Sequence, residues 1–504
     1  MKKTLFFIAI IFLFGCKNQE DKLNDKLLTV SEVGADNMPF KIAEVKAPFK
    51  IIDFVRPTFK ADTIFINEVN NFTHNVNKAI KELSAKGGGV VFISQGKWES
   101  GRIELKSNVN LHISKSAIIQ FSGEIEDYLP AVPTRIEGIE VTSLGACIYA
   151  NGQTNIAVTG KGKLIGPPKD SDVRNKILTH KLIDDVVDLS KNVEERIFDG
   201  SDFEWIFPPM FISPINCTKV FIEGISLENS AFWNVVPIFC NNVIIRGISV
   251  NSIGIKRGDG IDIDSSSDVL IEYCTLKTGD DCFTIKAGRG KDGVDKGIAT
   301  ENVVIRYSLA LEGHGGITCG TETAGMIRNL YMHDSVFEGT DVGINFKSRR
   351  TRGGGGENIH YERIRMNLKM TAIKWDMLGN VKYLGELALR LPKHEVTELT
   401  PKYENIFIND ILIENSTHFL KIVALPESPL KDVKINNVKA NSTELISIQD
   451  ATNIEITNCN IKSKNNIIEV LDCENITLKN VNINDDNEVE IKISGDNLEA
   501  IKIL

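Results

Sequence analysis

The chain is poor in proline, in aromatic residues and in long apolar runs. Of its 504 residues, 15 are proline and 7% are Phe, Trp or Tyr, while 42% are hydrophobic and 25% are charged. These values exclude a collagen-like, disordered or multi-span membrane chain. Basic residues are also in deficit, with 58 Lys and Arg against 67 Asp and Glu and a formal charge of −9. The surface as a whole therefore does not attract nucleic acid, and a polyanionic partner requires a local basic cluster.

The cysteine pattern lacks any CxxC pair, so no zinc or other metal site is predicted from it. Nine cysteines are present, and the eight besides Cys16 are an even number, which leaves disulfides open in an exported chain. Cys217, Cys240, Cys274 and Cys459 each lie next to a strand-like run. This placement favours thiols buried in a core over disulfide bridges.

The first residues predict a targeting segment rather than part of the fold. Lys2 and Lys3 precede an apolar run, residues 4–12, that is too short to span a bilayer as a permanent helix. The sequence Leu-Phe-Gly-Cys follows and ends at Cys16. This order resembles a bacterial lipoprotein signal, in which the final cysteine becomes the lipidated first residue. A plain secretory signal is the alternative.

The lipoprotein interpretation predicts three parts: a signal peptide over residues 1–15, a lipidated Cys16 with a polar tether over residues 16–45, and one catalytic domain over residues 46–504. Loss of the signal removes two lysines and leaves a formal charge of −11. We expect a cell-envelope lipoprotein of the outer membrane. Its contact with the membrane is then made only through the lipid.

A repeated pattern dominates the rest of the chain: an Asn or Asp is followed by an alternating apolar run. From Asn242 to Asn475 the intervals lie between 21 and 47 residues, and longer intervals can contain inserted loops. A coil of about 22 residues suits three short strands with bends, which bury a continuous core only when coils stack. The pattern predicts an all-β right-handed parallel β-helix with asparagines stacked at a bend and bonded to backbone. A propeller is the alternative, but its blades need about 40 residues each.

The ends and interruptions of the repeat are also visible. Val76, Ala79, Ile80 and Leu83 recur at helical spacing and predict an N-terminal capping helix. Thr73 is the expected N-cap and Gly87 the expected end of this helix. Two stretches, residues 167–209 and 376–401, break the repeat and are predicted to be long loops near the functional face.

Candidate catalytic residues concentrate between residues 257 and 352, in the segments RGDGIDIDSS, TGDDCFTIKAG, GHGG and GINFKSRRTRGG. Each segment alone is typical of a solvated turn. If each repeat is one coil, Asp259, the pair Asp280 and Asp281, His314 and Lys347 lie on successive coils about 4.8 Å apart. Three carboxylates, an imidazole and a cation then meet on one sheet. Glycoside hydrolysis requires a protonated carboxyl for the leaving oxygen and a second carboxylate for a water. Crowding raises the pKa of one carboxyl, which keeps an acid protonated.

These motifs, in this order, resemble those of the polygalacturonases, glycosyl hydrolase family 28, from about Val55 to Leu504. The family pattern has an NTD-type Asp, a GDD pair, a GHG and an RIK-type basic strand on a pectin-lyase-like β-helix. The resemblance implies that Asp280 is the general acid and that Asp259 and Asp281 activate water. It also implies that His314 supports the protonation of the acid and that Lys347 holds a substrate carboxylate.

The chain departs from the family pattern at two positions: Arg257-Gly258 replaces the Asn-Thr before the first Asp, and Asn345 replaces the Arg of RIK. The carboxylates remain, so hydrolysis is still expected, but recognition of a uronate is less secure. The cations that could replace the missing Arg are Lys286, Arg349, Arg350 and Arg352.

The residues around GHGG and SRRTRGGG resemble those of the exo-acting bacterial branch of the family. We therefore expect an inverting, exo-acting hydrolase of α-glycosidic bonds in galacturonic-acid-containing polysaccharides or oligosaccharides, with no cofactor. The alternatives are a hydrolase of a sulfated or other anionic algal polysaccharide, a polysaccharide lyase, and a non-catalytic β-helix binding protein. The GDD and GHG motifs favour the hydrolase over the lyase, which typically relies on calcium and an Arg or Lys base.

Overall fold

The computed structural model describes residues 23–68, 70–175, 183, 186–201, 206–484, 489–495, 497 and 499–504. The predicted signal peptide and Cys16 lie outside these residues. None of the described helices has the length and apolar character needed to cross a membrane.

The chain alternates short strands with tight bends. The first strands are β1 Thr63–Ile66, β2 Gly89–Ile93, β3 Gly96–Ser100, β4 Ile103–Glu104, β5 Val109–Ile113, β6 Ala117–Phe121, β7 Val132–Ile136, β8 Ile139–Ser143, β9 Ala146–Asn151, β10 Thr154–Gly160, β11 Lys163–Ile165, β12 Met210–Ile215, β13 Thr218–Glu223, β14 Ser226–Glu228, β15 Asn241–Arg246 and β16 Ser249–Asn251. The later strands are β17 Ile261–Asp264, β18 Ser267–Glu272, β19 Thr275–Lys277, β20 Phe283–Lys286, β21 Thr300–Arg306, β22 Leu309–Cys319, β23 Ile327–Glu338, β24 Thr340–Lys347, β25 Gly355–Asn367, β26 Thr371–Asp376, β27 Lys402–Val423, β28 Leu430–Gln449, β29 Ala451–Ser463, β30 Ile467–Leu471, β31 Glu474–Ile483, β32 Glu490–Ser494 and β33 Ile501–Ile503.

Helical segments are short, apart from one near the N-terminus. The α-helices are α1 Phe72–Ala85, α2 Asp172–Asn175, α3 Gly290–Lys296 and α4 Val381–Leu384, and the 3₁₀ turns are Val30–Glu32, Ala35–Asn37, Ile125–Tyr128, Val193–Glu195 and Gly385–Ala388.

Strands of successive coils pair in parallel and form three sheets. Sheet 1 contains β13, β15, β18 and β21, sheet 2 contains β14, β16 and β19, and sheet 3 contains β17, β20, β22, β24 and β26. The fold is a right-handed parallel β-helix, as the repeats predict. Alternate side chains point inward: Ile271 pairs with Ile245 and Ile305, and all three are fully buried. One core runs from Ile66 to Ala500, and each buried aliphatic side chain contributes about 1.5–3 kcal/mol.

The repeated asparagines stack at the start of sheet 1, as predicted. Asn302, Asn329 and Asn358 have φ values of 57°, 52° and 54°, in the left-handed region that Asn tolerates. The side chain of Asn302 donates to Asp268 at 3.1 Å, Asn329 donates to Asn302 at 2.9 Å, and Asn358 donates to Asn329 at 2.7 Å. The expected bonds to backbone are therefore replaced by bonds between side chains, because identical bends lie one coil apart.

The N-terminal cap is α1, which buries Val76, Ala79, Ile80 and Leu83 against the first coil. The predicted helix is confirmed, and Gly87 follows its end with a φ of +90°. The N-cap is Asn71 rather than Thr73. The Thr73 hydroxyl instead accepts a hydrogen bond from the Gly101 backbone N–H at 2.9 Å, which ties the helix to the following coil.

Residues 23–45, expected to belong to a free tether, instead pack against the outside of the β-helix. Leu23 and Leu27 form a buried cluster with Leu412. The guanidinium of Arg246 donates to the Pro39 carbonyl at 2.7 Å, and that of Arg306 donates to the Ala43 carbonyl at 2.8 Å. These buried guanidinium groups need acceptors, and the N-terminal segment supplies them. The remaining tether residues, 16–22, lie outside the described part of the chain.

The eight cysteines of the described chain are free and buried, so the prediction of buried thiols is confirmed. Burial raises the pKa of Cys274, Cys282 and Cys319 to about 12. These thiols are therefore neutral packing groups at physiological pH rather than nucleophiles.

Described residues from both predicted long loops lie near sheet 3. From the loop over residues 376–401, Lys382 and Tyr383 reach the cleft on that sheet. From the loop over residues 167–209, Phe198 and Phe207 pack in a cluster with Trp233. This cluster supports the wall of the same cleft, because Trp233 also lines it.

Candidate active site

Three successive coils carry the acidic residues and the imidazole where the chain passes from sheet 2 to sheet 3. Asp259 precedes β17, Asp280 and Asp281 precede β20, and His314 lies inside β22. Because Ile261 pairs with Phe283 and Phe283 pairs with Ile317, the three turns stack. The predicted placement on successive coils is confirmed.

Backbone hydrogen bonds join these turns to one another. Asn234 donates to the Asp259 carbonyl from its backbone N–H at 3.0 Å and from its side chain at 2.8 Å. The N–H of Gly260 donates to the Asp281 carbonyl at 3.0 Å, and the N–H of His314 donates to the Asp280 carbonyl at 2.9 Å. The catalytic candidates are thus held by the sheet itself, which favours a preorganised site.

The glycine at position 315 is required by close packing. A Cβ there would lie 2.3 Å from the Thr318 hydroxyl and 2.6 Å from Oδ1 of Asp281. The GHGG segment therefore allows the third coil to approach the Asp281 carboxylate. Any larger side chain would displace that carboxylate.

The three carboxylates form one cluster. One oxygen from each of Asp259, Asp280 and Asp281 lies within 4.8 Å of the other two, a grouping with enough ligand oxygens for a cation. Burial, together with the neighbouring Asp262 and Asp280, raises the pKa of Asp259 well above its usual value. Burial raises the pKa of Asp262 to about 7. Crowding therefore raises a carboxyl pKa as expected, but the affected residues are Asp259 and Asp262 rather than Asp280.

The pKa of Asp280 is lowered in the free protein. Burial acts to raise it, but the hydrogen bond from His314 and the charge of Lys347 outweigh that effect. Nδ1 of His314 lies 3.2 Å from Oδ1 of Asp280, and this contact raises the pKa of His314 above 6.5. The Asp280–His314 pair therefore shares one proton that resides mainly on the imidazole before substrate binds.

Two lysines compensate the carboxylate charge. Nζ of Lys347 donates to Oδ2 of Asp281 at 2.6 Å. Nζ of Lys286 lies 3.5 Å from Asp259, 3.2 Å from Asp262 and 3.6 Å from Glu322, and 3.8 Å above the Trp233 ring. Both lysines line the cleft, as predicted. Lys286 is only 4% exposed, so its main contacts are with protein carboxylates.

The three predicted arginines after β24 differ in position. Arg349 and Arg352 line the cleft. Arg350 does not: its guanidinium is buried, pairs with Glu427 at 2.5 and 3.0 Å, and donates to the Leu387 and Arg390 carbonyls at 3.0 Å. The substrate-binding prediction for Arg350 is therefore corrected. Its side chain anchors the loop over residues 376–401, because a buried charge requires a partner.

The two departures from the family pattern have different environments. Asn345 pairs in register with Thr318 on the outer face of sheet 3 and is 4% exposed, and it carries no charge. Arg257 lines the cleft, and its Nη1 lies 3.1 Å from Oε1 of Glu137. Compared with the family pattern, the cleft therefore loses a positive charge at position 345 and gains one at position 257.

Several cleft residues were not identified from the sequence. Glu137, Arg289, Glu322, Lys382 and Tyr383 all line the cleft. The signal for Glu137 was a two-residue turn between apolar runs, which is typical of a hairpin. Arg289 and Glu322 follow β20 and β22, and Lys382 and Tyr383 lie in α4. No local sequence pattern encodes how close these four residues come to the cleft.

The cleft is large and locally basic. Its volume is about 660 Å³, and its lining contains eight Lys or Arg residues against five Asp or Glu residues. The whole chain has a formal charge of −9. This contrast favours an anionic ligand, because a cleft concentrates the field of the charges that line it.

The pH dependence of turnover tests the Asp280–His314 pair. Because the pKa of His314 is raised, the imidazolium is present below that pKa and is lost as the pH rises through it. We expect kcat to fall on this alkaline side. His314→Gln should remove that limb and lower kcat about tenfold, the equivalent of one charge-assisted hydrogen bond. Full pH–rate profiles of both proteins provide the measurement.

His360→Gln is the matched control, because this histidine is partly buried in β25 and bonds to Asn358. Its profile should equal that of the wild type. An unchanged alkaline limb in His314→Gln would contradict the assignment.

Comparisons with known proteins agree with this geometry. Residues 203–386 match the family described as glycosyl hydrolases family 28. A probable polygalacturonase of Vitis vinifera is 24% identical over 71% of this chain and 69% of its own length. An exo-poly-alpha-D-galacturonosidase of Dickeya chrysanthemi is 21% identical over 81% of this chain and 70% of its own length.

A solved structure extends the similarity to three dimensions. The hyperthermoactive exopolygalacturonase from Thermotoga maritima is 27% identical to this chain and superposes with a TM-score of 0.72. The superposition covers 81% of this chain and 93% of that one. The family match, residues 203–386, includes Asp259, Asp280 and Asp281.

Proposed function

We propose that this chain, whose residues 203–386 match glycosyl hydrolases family 28, is a glycoside hydrolase that removes galacturonic acid units from one end of pectic polysaccharides or oligosaccharides. The observation that carries this proposal is the stacking of Asp259, Asp280 and Asp281, with His314 beside Asp280, along a cleft with an excess of basic side chains. The names of two relatives, an exo-poly-alpha-D-galacturonosidase and an exopolygalacturonase, support exo action.

In the proposed mechanism Asp280 protonates the leaving glycosidic oxygen. Its proton comes from the pair with His314, 3.2 Å away. When substrate excludes water from the cleft, the ionised form of Asp280 loses solvation, and transfer of the proton from imidazolium to carboxylate becomes more favourable.

Asp281 and Asp259 act on the hydrolytic water. Lys347 holds Asp281 by a 2.6 Å hydrogen bond, which fixes the orientation of that carboxylate. Asp281 is the base in this assignment, because burial and the charges of Asp262 and Asp280 raise the pKa of Asp259 and so favour its protonated form. A protonated Asp259 can donate to, and so position, the water.

Stereochemistry tests the roles of these carboxylates. We expect inversion, with the first released sugar in the anomeric configuration opposite to that of the cleaved bond. Early-time NMR of the reaction mixture distinguishes the two anomers before mutarotation. The nearest oxygens of the cluster lie within 4.8 Å, less than the gap of about 6.5–9.5 Å between the carboxyl groups of many inverting enzymes. The proposal of inversion therefore rests on the family resemblance, and a retained anomer would contradict it.

The substrate is tested by a screen of polygalacturonan, other uronate-rich polysaccharides and sulfated algal polysaccharides, with chromatography of the products. Release of monomeric galacturonic acid from the start of the reaction is the expected result. Asn345 replaces the Arg with which the family recognises a uronate, and the remaining cleft cations can also bind sulfate, so sulfated or other anionic chains are the second candidate. Ultraviolet-absorbing unsaturated products would instead identify a lyase, and binding without new reducing ends would identify a binding protein.

We also propose that the chain is a cell-envelope lipoprotein anchored through Cys16, supported by the charged, apolar and Leu-Phe-Gly-Cys segments in order. Metabolic labelling with a fatty acid should mark the wild type and not Cys16→Ser. Equal labelling of both proteins would contradict the anchor.

A further inference from the structure

The N-terminal segment crosses the outside of several coils. Residues 23–45 form a strap that begins at β27, where Leu23 and Leu27 pack in a buried cluster with Leu412. Further along, Met38 packs on Gly247, where a Cβ would lie 2.2 Å from the Met38 sulfur. Gly247 directly follows β15. The strap therefore crosses five coil-to-coil steps between β27 and β15, or about 24 Å.

Hydrogen bonds fix the strap along this path. Nε of Arg365 donates to the Leu28 carbonyl at 3.0 Å, and the N–H of Gly34 donates to the Tyr307 carbonyl at 2.8 Å. Gly34 has a φ of +85°, and a Cβ there would lie 2.5 Å from the Thr275 hydroxyl oxygen. A larger side chain would not fit between the strap and this coil, so the two are in close contact.

The second half of the strap supplies acceptors to two buried arginines. Arg246 is fully buried and Arg306 is 3% exposed, and they donate to Glu272 at 2.8 and 3.0 Å. Other donors of both guanidinium groups reach the strap. Arg246 donates to the Pro39 carbonyl at 2.7 Å, and Arg306 donates to the Ala43 carbonyl at 2.8 Å. Since a buried charge that loses its partners is strongly destabilising, the strap is held as part of the folded domain.

The position of the strap limits how much of the chain is free to act as a tether. A tether over the 30 residues 16–45 would reach about 100 Å when fully extended. With Leu23 bound at β27, six residues separate it from Cys16. The seven steps from Cys16 to Leu23 span about 25 Å at most. The strap therefore shortens the available tether about fourfold.

The attachment point is nearer to one end of the β-helix. Among the described strands, parallel pairing in line with sheet 1 runs from β1 to β33, and β27 is ten steps from β1 and four steps from β33. These steps correspond to about 48 Å and about 19 Å. A tether of about 25 Å therefore extends beyond the C-terminal end of the β-helix but not beyond its N-terminal end.

The carboxylate cluster lies close to the same attachment point. Asp259 and Asp281 precede β17 and β20, and these strands lead into β18 and β21. Strands β18 and β21 are four and three steps from β27, or about 19 Å and about 14 Å along the helix axis. A short tether at β27 thus also limits how far the cleft lies from the point where the chain is anchored.

We propose that the strap holds the catalytic domain against a lipid bilayer, with the C-terminal coils nearer to the bilayer than the N-terminal cap α1. The partner is a lipid surface, reached through an acylated Cys16. The cleft then meets glycan ends that arrive at the membrane rather than chains at a distance from it. This inference rests on the proposed lipid anchor at Cys16, and it does not depend on which sugar the cleft accepts.

Energy transfer from a dye on the protein to dye-labelled lipids measures this orientation. Lys462→Cys in β29 and Lys97→Cys in β3 each provide one exposed labelling site. The eight cysteines of the described chain are buried, so the chain without an added cysteine should take up no dye. With the lipidated protein in phosphatidylcholine vesicles, transfer from Lys462→Cys should exceed transfer from Lys97→Cys by about 1.5-fold or more, because β29 lies two steps and β2, which precedes β3, nine steps from β27.

Two changes should remove this difference. A 20-residue Gly/Ser insertion after Asp21 lengthens the tether without altering the strap. Leu27→Asp places a carboxylate in the buried cluster with Leu412 and should release the first residues of the strap. Both should lower the ratio below about 1.5. Val30→Asp is the matched control, because Val30 is 39% exposed within the same strap, and it should keep the wild-type ratio.

A ratio below about 1.5 in the otherwise unaltered chain, or a ratio above it in the insertion variant, overturns this inference alone. So does equal behaviour of Leu27→Asp and Val30→Asp. If the wild type neither binds the vesicles nor carries a fatty acid, the lipid-anchor proposal fails and this inference fails with it. No measurement here involves turnover, so the hydrolytic proposal stands or falls separately.

Discussion

Asp280→Asn and Asp281→Asn should each remove nearly all hydrolysis, with kcat lower by about 10²–10⁴-fold, the usual contribution of a general acid or base. Asp280 loses the proton that it accepts from His314, 3.2 Å away. Asp281 loses the negative charge that Lys347 orients at 2.6 Å. Both substitutions preserve shape, so the turns that carry them should remain folded. Initial rates of reducing-end release on polygalacturonan measure the effect.

The matched control is Asp268→Asn, the same chemical change on a neighbouring coil. Asp268 accepts from Asn302 at 3.1 Å and from Asn241 at 3.0 Å, so the change removes one acceptor from the asparagine stack and leaves the carboxylate cluster untouched. This variant should retain wild-type rates, and thermal melts should be similar for all three variants. More than about a tenth of wild-type activity in either cluster variant would show that the altered residue is neither acid nor base.

Lys347→Ala should have the next largest effect, with kcat/KM on galacturonides lower by about 30-fold or more. The side chain of Lys347 is 30% exposed and that of Asp281 is 4% exposed. Truncation of one partner of such a partly buried charge pair costs about 2 kcal/mol, and each 1.36 kcal/mol is tenfold. Two functions are lost together: the hydrogen bond to Asp281 and a cation for the substrate carboxylate. We therefore expect both a lower kcat and a higher KM, and a smaller rise of KM on a neutral glycoside.

Lys374→Ala is the matched control for this substitution. Lys374 follows on the neighbouring strand, where it pairs in register with Asn345, and its ammonium lies 3.5 Å from Asp376. Its removal should leave both constants unchanged. Steady-state kinetics on a charged and a neutral substrate provide the comparison. Equal losses on both substrates would assign Lys347 to the orientation of Asp281 alone.

The sequence by itself determined the repeating structure of the β-helix, that is, its stacked bends and its parallel sheets. The repeated Asn or Asp predicted the stacked bends at Asn302, Asn329 and Asn358, and the alternating apolar runs predicted the parallel sheets. The same repeat placed Asp259 and Asp280 on adjacent coils. Such features follow from local periodicity, because each coil repeats the geometry of the one before and fixes which side chains share a face.

Only the tertiary structure decided how the inserted segments meet the cleft. Arg350 was expected to bind substrate, but it pairs with Glu427, 77 residues away. Arg257 pairs with Glu137 on a hairpin inserted before the ninth strand. The packing of the N-terminal segment on the β-helix, including Leu23 against Leu412, was likewise absent from any local pattern.

The physical reason is the range over which each interaction acts. Periodicity and turn chemistry operate within one coil, so the sequence encodes them locally. A buried guanidinium instead pairs with a carboxylate or carbonyl that lies near it in the folded chain. Which group lies there depends on loops that follow no repeat. The sequence could therefore place Asp259, Asp280 and Asp281 on neighbouring coils, whereas the partners of the surrounding cations were decided only once the coils were stacked.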